Sequence, residues 1–493
     1  MSSSPNPSPT GSTTSRRAVA VILVLGFSSL CAALMQSLVI PIQSELPELL
    51  HTSASNASWV VTATLLGGAV AMPVTGRLAD LYGKKPVMVA SAVLLLLASL
   101  LCAVSDSVGP VVVGRVLQGM AMGYIPVAIS MVREIAPPHL RNTAVAGISA
   151  TLGVGGALGL PLAAWIAQDF DWHMLFWVSA ALAAVMAVLT VVVIPHVRDS
   201  HPGRFDLVGA LGLAVGLVGV LVGVSKGNDW GWAEPSTLGM IGGGVVVLLL
   251  WGRYELRHGE PLVDLRTSAK KPVLFTNIAA VLIGFGMMAQ SIVVPQLLQM
   301  PEATGYGLGQ TILQAGLWMA PAGLMMMLFT PLSSRMLTRL GGRTTLSIGA
   351  GVLALGYVVA VFLMDAPWQL MLASCVASAG VGIGYAAMPT LILDNVPATE
   401  SAASVGLNSL MRSMGTTIAG AVMAMILTSR TTVLAPGTPA IPDQSAFTLC
   451  FVVGALAAAA GALIILLVPR RKRADDGGRH LRAVPAADEP ALV

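Results

Sequence analysis

Few side chains able to do chemistry occur in this 493-residue chain, and their spacing suits charge pairing better than bond breaking. Its 23 carboxylates fall in loops, tails or helix ends, and its seven histidines lie outside the apolar runs without metal-ligand spacing. No HExxH pair, no His/Asp cluster within an apolar run and no phosphate-binding loop ending in Gly-Lys-Ser or Gly-Lys-Thr is present. An enzyme, a metal centre and a primary pump therefore lack their reacting groups. The chain is read as a non-enzyme, with no cofactor and no metal.

What stands out is Pro73-Val-Thr-Gly76-Arg77-Leu-Ala-Asp80-Leu-Tyr-Gly83-Lys84-Lys85-Pro86, one carboxylate and three cations in a short polar hinge between two apolar runs. Two further cations, Arg115 and Arg412, sit well inside apolar runs. An arginine at the membrane centre costs about 2.5–3.5 kcal/mol even on lenient scales, so each must face a cavity or a set of acceptors. By helical spacing Arg115 shares a face with Gln118 and Met122, and Arg412 with Asn408 and Gly415.

Composition sets the elements that hold these residues. With 55% hydrophobic and 10% charged residues the chain is a polytopic membrane protein, and no polar segment is long enough for a separate soluble domain. At about 20 apolar residues per crossing, fourteen spanning helices are predicted near 18–40, 57–76, 86–105, 108–132, 142–167, 173–194, 207–226, 237–253, 273–296, 311–333, 343–364, 367–391, 402–428 and 446–468. The fold class is thus all-α integral membrane. Cys31, Cys102, Cys375 and Cys450 lie in separate apolar runs without CxxC spacing and read as small packing residues.

The sidedness of Lys and Arg is consistent with that helix count. Of 27 such residues, Lys226 and Arg430 fall on the side opposite the N-terminus and Arg115 and Arg412 within apolar runs; all others fall on the N-terminal side. By the positive-inside rule both termini are cytoplasmic. Trp59, Trp172, Trp230, Trp232 and Trp368 lie near the predicted outer ends, where an interfacial belt places them. The net charge of +4 accordingly implies a membrane surface and no nucleic acid.

Pro73–Lys85 also aligns without gaps on Pro331–Arg343, and Gly119 to Tyr124 matches Gly380 to Tyr385 at nearly the same offset. The chain is therefore expected to hold a cytoplasmic tail at 1–17, a six-helix bundle at 18–194, a linker with two inserted helices at 195–272, a second, parallel six-helix bundle at 273–468 and a tail at 469–493. Both tails are expected to be disordered. Parallel repeats of this kind are an architecture of secondary transporters, with the site near the midplane between the halves.

On these residues the chain resembles the major facilitator superfamily. Gly76-x-x-x-Asp80-x-x-Gly83-Lys84-Lys85 looks like the family's signature loop, departing at Leu81 where a cation usually stands. Arg115-Val-Leu-Gln118-Gly119-Met-Ala-Met-Gly123 resembles its motif on helix four. Gly155-Gly-Ala-Leu-Gly159-Leu-Pro161 resembles the antiporter motif of drug exporters, with the proline one residue late. Fourteen helices, Arg204-Phe-Asp-Leu-Val-Gly and Lys226-Gly-Asn-Asp-Trp-Gly-Trp232 are similar to the 14-spanner drug:proton antiporter branch.

The resemblance implies a conformational latch at Gly76, Asp80, Gly83, Lys84 and Lys85, in which Asp80 accepts hydrogen bonds from the N-terminus of helix thirteen. Such a contact contributes about 0.3–2 kcal/mol. Because the second copy has Ser334 for Gly76 and Thr338 for Asp80, the latch is expected to be asymmetric. Arg115 and Arg412 are assigned to coupling or intramembrane charge, Gly155, Gly159 and Pro161 to helix packing, and Gln36, Ser37, Gln118, Met122, Gln290 and Asn408 to the substrate path. Helix one carries Gln36 where the branch commonly has an aspartate, so either proton coupling rests on Asp80, Glu134 or an outer-end acid such as Glu45, or the protein is not a simple proton antiporter.

The function implied is secondary active export of small amphipathic molecules or drugs across the plasma membrane by alternating access, coupled to protons, by a monomer in the lipid bilayer. The alternatives are an uptake symporter, a dedicated metabolite exporter of the same fold, and a non-transporting membrane sensor.

Overall fold

A computed structural model of the chain describes residues 10–39, 42–43, 45–197, 203–433 and 440–469. Most of the C-terminal tail and the first nine residues lie outside them. Among the described residues thirteen helical stretches are long and apolar enough to cross a membrane. One of them, Ile312–Phe362, has 51 residues, about 75 Å at 1.5 Å per residue, more than twice a hydrocarbon core. It breaks at Gly341, whose φ of 79° is outside the helical range, and so makes two crossings and fourteen in all.

We number the crossings α1 (Thr10–Ser37), α2 (Trp59–Tyr82), α3 (Lys84–Ala103), α4 (Val108–Ile135), α5 (Arg141–Asp169), α6 (Met174–Val193) and α7 (Leu207–Trp230). There follow α8 (Pro235–Glu255), α9 (Lys271–Gln299), α10 (312–340), α11 (342–362), α12 (Pro367–Asn395), α13 (Ser401–Ser429) and α14 (Gln444–Ile465).

Two sequence expectations change. Helix α1 begins at Thr10, so residues 10–17, expected as tail, are helical; the helix starts directly after the last of the N-terminal prolines, where nothing further stops its propagation. The polar hinge shrinks to one residue. Pro73 lies inside α2, which runs on to Tyr82, and only Gly83, with φ 95° and ψ 148°, leaves the helix before α3 begins at Lys84. Gly83 and Gly341 are equivalent in the repeat and turn the chain in the same way, a conformation that glycine alone adopts without strain.

The repeat is visible a second time in α4 and α12. Each is broken, at Met122-Gly123 and at Tyr385-Ala386. Pro126 and Pro389 stand four residues beyond Met122 and Tyr385, so each proline removes a hydrogen bond and crowds the carbonyl at its break. Helix starts are fixed locally. Asp206 caps α7 through Gly209 N at 2.8 Å, Asp443 caps α14 through Ala446 N at 2.7 Å, and Thr311 with Gln314 forms a capping box on α10.

Apolar burial drives little helix association inside a bilayer, so close crossings and polar contacts carry the packing. The halves meet along two seams, α2 with α13 and α5 with α10. The inserted pair α7 and α8 lies over the first. Leu213, Leu217 and Leu221 of α7 pack with Ala69 of α2 and with Leu407 and Leu410 of α13. At the opposite end of α7 from its Asp206 cap, Lys226 Nζ donates to Ser55 O at 3.1 Å and to Ser58 Oγ, while Asn228 Nδ2 donates to Ala421 O of α13 at 3.2 Å.

Candidate functional site

Asp80 ends α2 and is 3% exposed. Its Oδ1 accepts from Ala402 N at 3.1 Å and its Oδ2 from Ala403 N at 2.9 Å. These are first-turn amides of α13, which have no partner within their own helix and carry the positive end of its dipole. Gly76, one turn earlier, lets the backbones touch: a Cβ there would lie 2.8 Å from Ala403 Cα and closer still to the Ala402 carbonyl. The cations stay within the first bundle. Lys84 pairs with Glu134 at the end of α4, and Lys85 Nζ donates to Val191 O of α6 at 2.8 Å. The five residues thus divide into two that cross between halves, one that turns the chain, and two that brace it.

The second copy crosses too. Thr338 Oγ1, in Asp80's place, accepts from Asn142 Nδ2 at 3.2 Å, and Ser334 Oγ, in Gly76's place, lies 2.7 Å from Thr143 Oγ1. Asn142 and Thr143 open α5 just as Ala402 and Ala403 open α13. The asymmetry expected between the copies is therefore one of charge, with neutral hydroxyl contacts on one seam and a buried carboxylate on the other. Arg133 Nη1 adds a third crossing to Val396 O at 3.3 Å. With these contacts made, the lysine- and arginine-rich face is closed. Introducing a methyl by Gly76→Ala is expected to push α2 from α13, raise cysteine labelling from that face and cut transport severalfold; unchanged labelling would show that the seam absorbs it.

Arg115 lies inside the first bundle with 2% exposure. Its Nε donates to Val60 O of α2 at 3.0 Å and its Nη1 to Gln118 Oε1 at 2.8 Å, and Gln118 Nε2 passes the chain to Ser99 Oγ of α3 at 2.9 Å. The acceptor set anticipated for this arginine is therefore a relay tying α2, α3 and α4 together. Gln118 is buried in it, with its amide oxygen on Arg115 and its amide nitrogen on Ser99.

Other path candidates are likewise committed within their own halves. Ser37 Oγ donates to Leu34 O at 2.8 Å and Gly155 O at 3.2 Å, and it fills the notch at Gly159, so Ser37, Gly155 and Gly159 form the α1–α5 crossing. Pro161 lies further along α5, which continues through it. Met122 is buried beside Gly68 of α2. Gln290 Nε2 donates to Ser374 O at 3.3 Å, and Asn408 Nδ2 to Asn277 Oδ1 of α9 at 2.9 Å. Gln36 on α1 remains partly exposed. Gly223-Val-Ser225-Lys-Gly227 has the spacing of a nucleophile elbow, but it is continuous helix in α7 without the strand-to-helix turn that elbow needs.

Arg412 differs from Arg115. It is partly exposed midway along α13, with its guanidinium carbon 4.6 Å from the centre of the Tyr385 ring at the break in α12. Sequence spacing had placed it beside Asn408 and Gly415. The ring, 27 positions away, carried no local signal.

Two similar bundles, fourteen crossings, and hydrogen bonds that fasten one bundle to the other at a single face define a polytopic helical membrane transporter. The chain belongs to the Major Facilitator Superfamily, whose sequence profile matches residues 25–420 and 276–490. It is 29% identical over 385 residues to a multidrug resistance protein B homolog of Mycobacterium tuberculosis (strain ATCC 25618 / H37Rv), covering 75% of this chain and 69% of that one. Over 390 residues it is 26% identical to a probable actinorhodin transporter of Streptomyces coelicolor, covering 76% of this chain and 66% of the relative. Among solved structures, the human organic anion transporter MFSD10 (TETRAN) superposes with a TM-score of 0.65 at 15% identity over 91% of this chain and 99% of that one. The proton:xylose symporter XylE gives 0.63 at 15% over 92% and 97%. These two share the fold.

Proposed function

We propose that this transporter exports small amphipathic molecules across the plasma membrane by alternating access, as a monomer with both termini in the cytoplasm. The observation that carries the reading is the pair of hydrogen bonds from the first turn of α13 to Asp80. They exist only while the lysine- and arginine-rich face is shut, so breaking and remaking them would accompany each cycle. The positive-inside rule makes that face cytoplasmic. The mycobacterial relative, named for multidrug resistance, favours export over uptake, and the streptomycete one, named for actinorhodin transport, favours a single compound as cargo.

Proton coupling belongs to the same proposal. With glutamine at position 36, the titrating group would be an acid at a helix end, and of the acids named above Asp80 and Glu134 sit in the closed face. Purified protein in liposomes with an imposed proton gradient is expected to move cargo against a concentration difference and protons the other way. Cargo movement indifferent to collapse of the gradient would refute coupling, and no movement with any of a panel of amphipathic compounds would refute export.

A further inference from the structure

We infer that the cargo is an anionic amphiphile and that Arg412 is the residue that selects it, a substrate class that rests on the export reading above. Among the described residues every carboxylate of the spanning helices lies near a helix end, so no negative charge stands in the middle of the membrane. Two positive charges do. Arg115 is fully enclosed and satisfied by a carbonyl and an amide oxygen. Arg412 is neither, for among the described residues its guanidinium makes no hydrogen bond, and it is partly exposed midway along α13.

An arginine left in this state carries five donors and a full charge that the protein does not compensate. The face of Tyr385 attracts the cation and fixes its plane, leaving the guanidinium edge, the part that forms a bidentate pair with a carboxylate or sulfonate, for another partner. The surroundings suit the rest of such a molecule. Arg412 rests against Gly284 of α9, where a Cβ would come within 2.9 Å of its Cγ. Met287 and Met288, one turn further on the same face, are half-buried and supply adaptable apolar surface. An organic cation placed there would meet a like charge with no carboxylate to offset it, so the site discriminates by repulsion as well as attraction.

The test uses the full chain in lipid nanodiscs without any gradient, and two dyes with the same xanthene body, fluorescein (anionic) and tetramethylrhodamine methyl ester (cationic). Wild type is expected to bind fluorescein more tightly than the rhodamine ester. Arg412→Gln, checked for an unchanged melting temperature, is expected to weaken fluorescein binding by about tenfold or more, the size of a lost charged hydrogen bond, and to leave the rhodamine ester unaffected or better bound. Arg412→Lys keeps the charge without the fork, so it retains the order of preference with lower affinity, and it decides the matter if the glutamine variant does not fold. Preference of wild type for the cation, fluorescein binding unchanged in folded Arg412→Gln, or loss of preference in Arg412→Lys overturns the inference. Because binding is read without transport, failure of export leaves this result standing, and export of cations alone would sink the anion selectivity while sparing export.

Discussion

Replacing Asp80 with asparagine is expected to abolish transport while expression and membrane insertion are retained. The substitution keeps the shape but alters both bonds to α13. One oxygen becomes an NH2 group that faces an amide N–H, and the charge that met the helix dipole is gone. A hydrogen bond to a charged group contributes about 1.5–3 kcal/mol against about 0.5–1.5 for a neutral one, and the dipole adds about 0.3–2 kcal/mol. A net loss of about 2 kcal/mol shifts the closed-to-open ratio at that face about thirtyfold. Vesicle uptake together with thiol labelling of single cysteines near Ala402 reads both consequences. Wild-type transport by Asp80→Asn would mean that the contact is bystander packing.

Arg115→Ala should be nearly as severe for a different reason. The truncation strips the Val60 carbonyl and the Gln118 amide of their shared donor in a place water does not reach, and the relay from α2 to α3 loses its centre. Losing about 2 kcal/mol or more of stability in the first bundle is the expected result, seen as a lower melting temperature in detergent, with transport lost in parallel. Arg115→Lys reaches one acceptor at most and should recover only part of either. Normal proton-coupled transport in Arg115→Ala would contradict the assignment.

Sequence periodicity and sidedness carried the fold a long way, because a bilayer dictates the length of each crossing and the position of its cations. The glycines at 83 and 341 were visible as repeat partners, and the backbone needs them for the same turn. Side-chain partners were harder to read. Ser37, Gln118, Gln290 and Asn408 are polar residues in apolar runs, which says that each needs a partner but not whether that partner belongs to the cargo or to the next helix; for Ser37, Gln118, Gln290 and Asn408 it is the next helix. The contacts of Thr338 and Ser334 were obscured for another reason. Hydroxyls on a helix usually bond back to their own turn, as Thr338 also does to Ser334 O, so nothing local marks them as reaching Asn142 and Thr143.

The inserted helices give the molecule a front and a back within the plane of the membrane. One seam between the halves, α2 with α13, lies behind the wall of α7 and α8, which grips the first half through Lys226 and the second through Asn228. The other, α5 with α10, lies away from that wall, with Trp165, Leu317 and Leu324 among its exposed side chains. A compound already dissolved in the acyl chains would therefore meet two unequal flanks, one covered by the insert and one not.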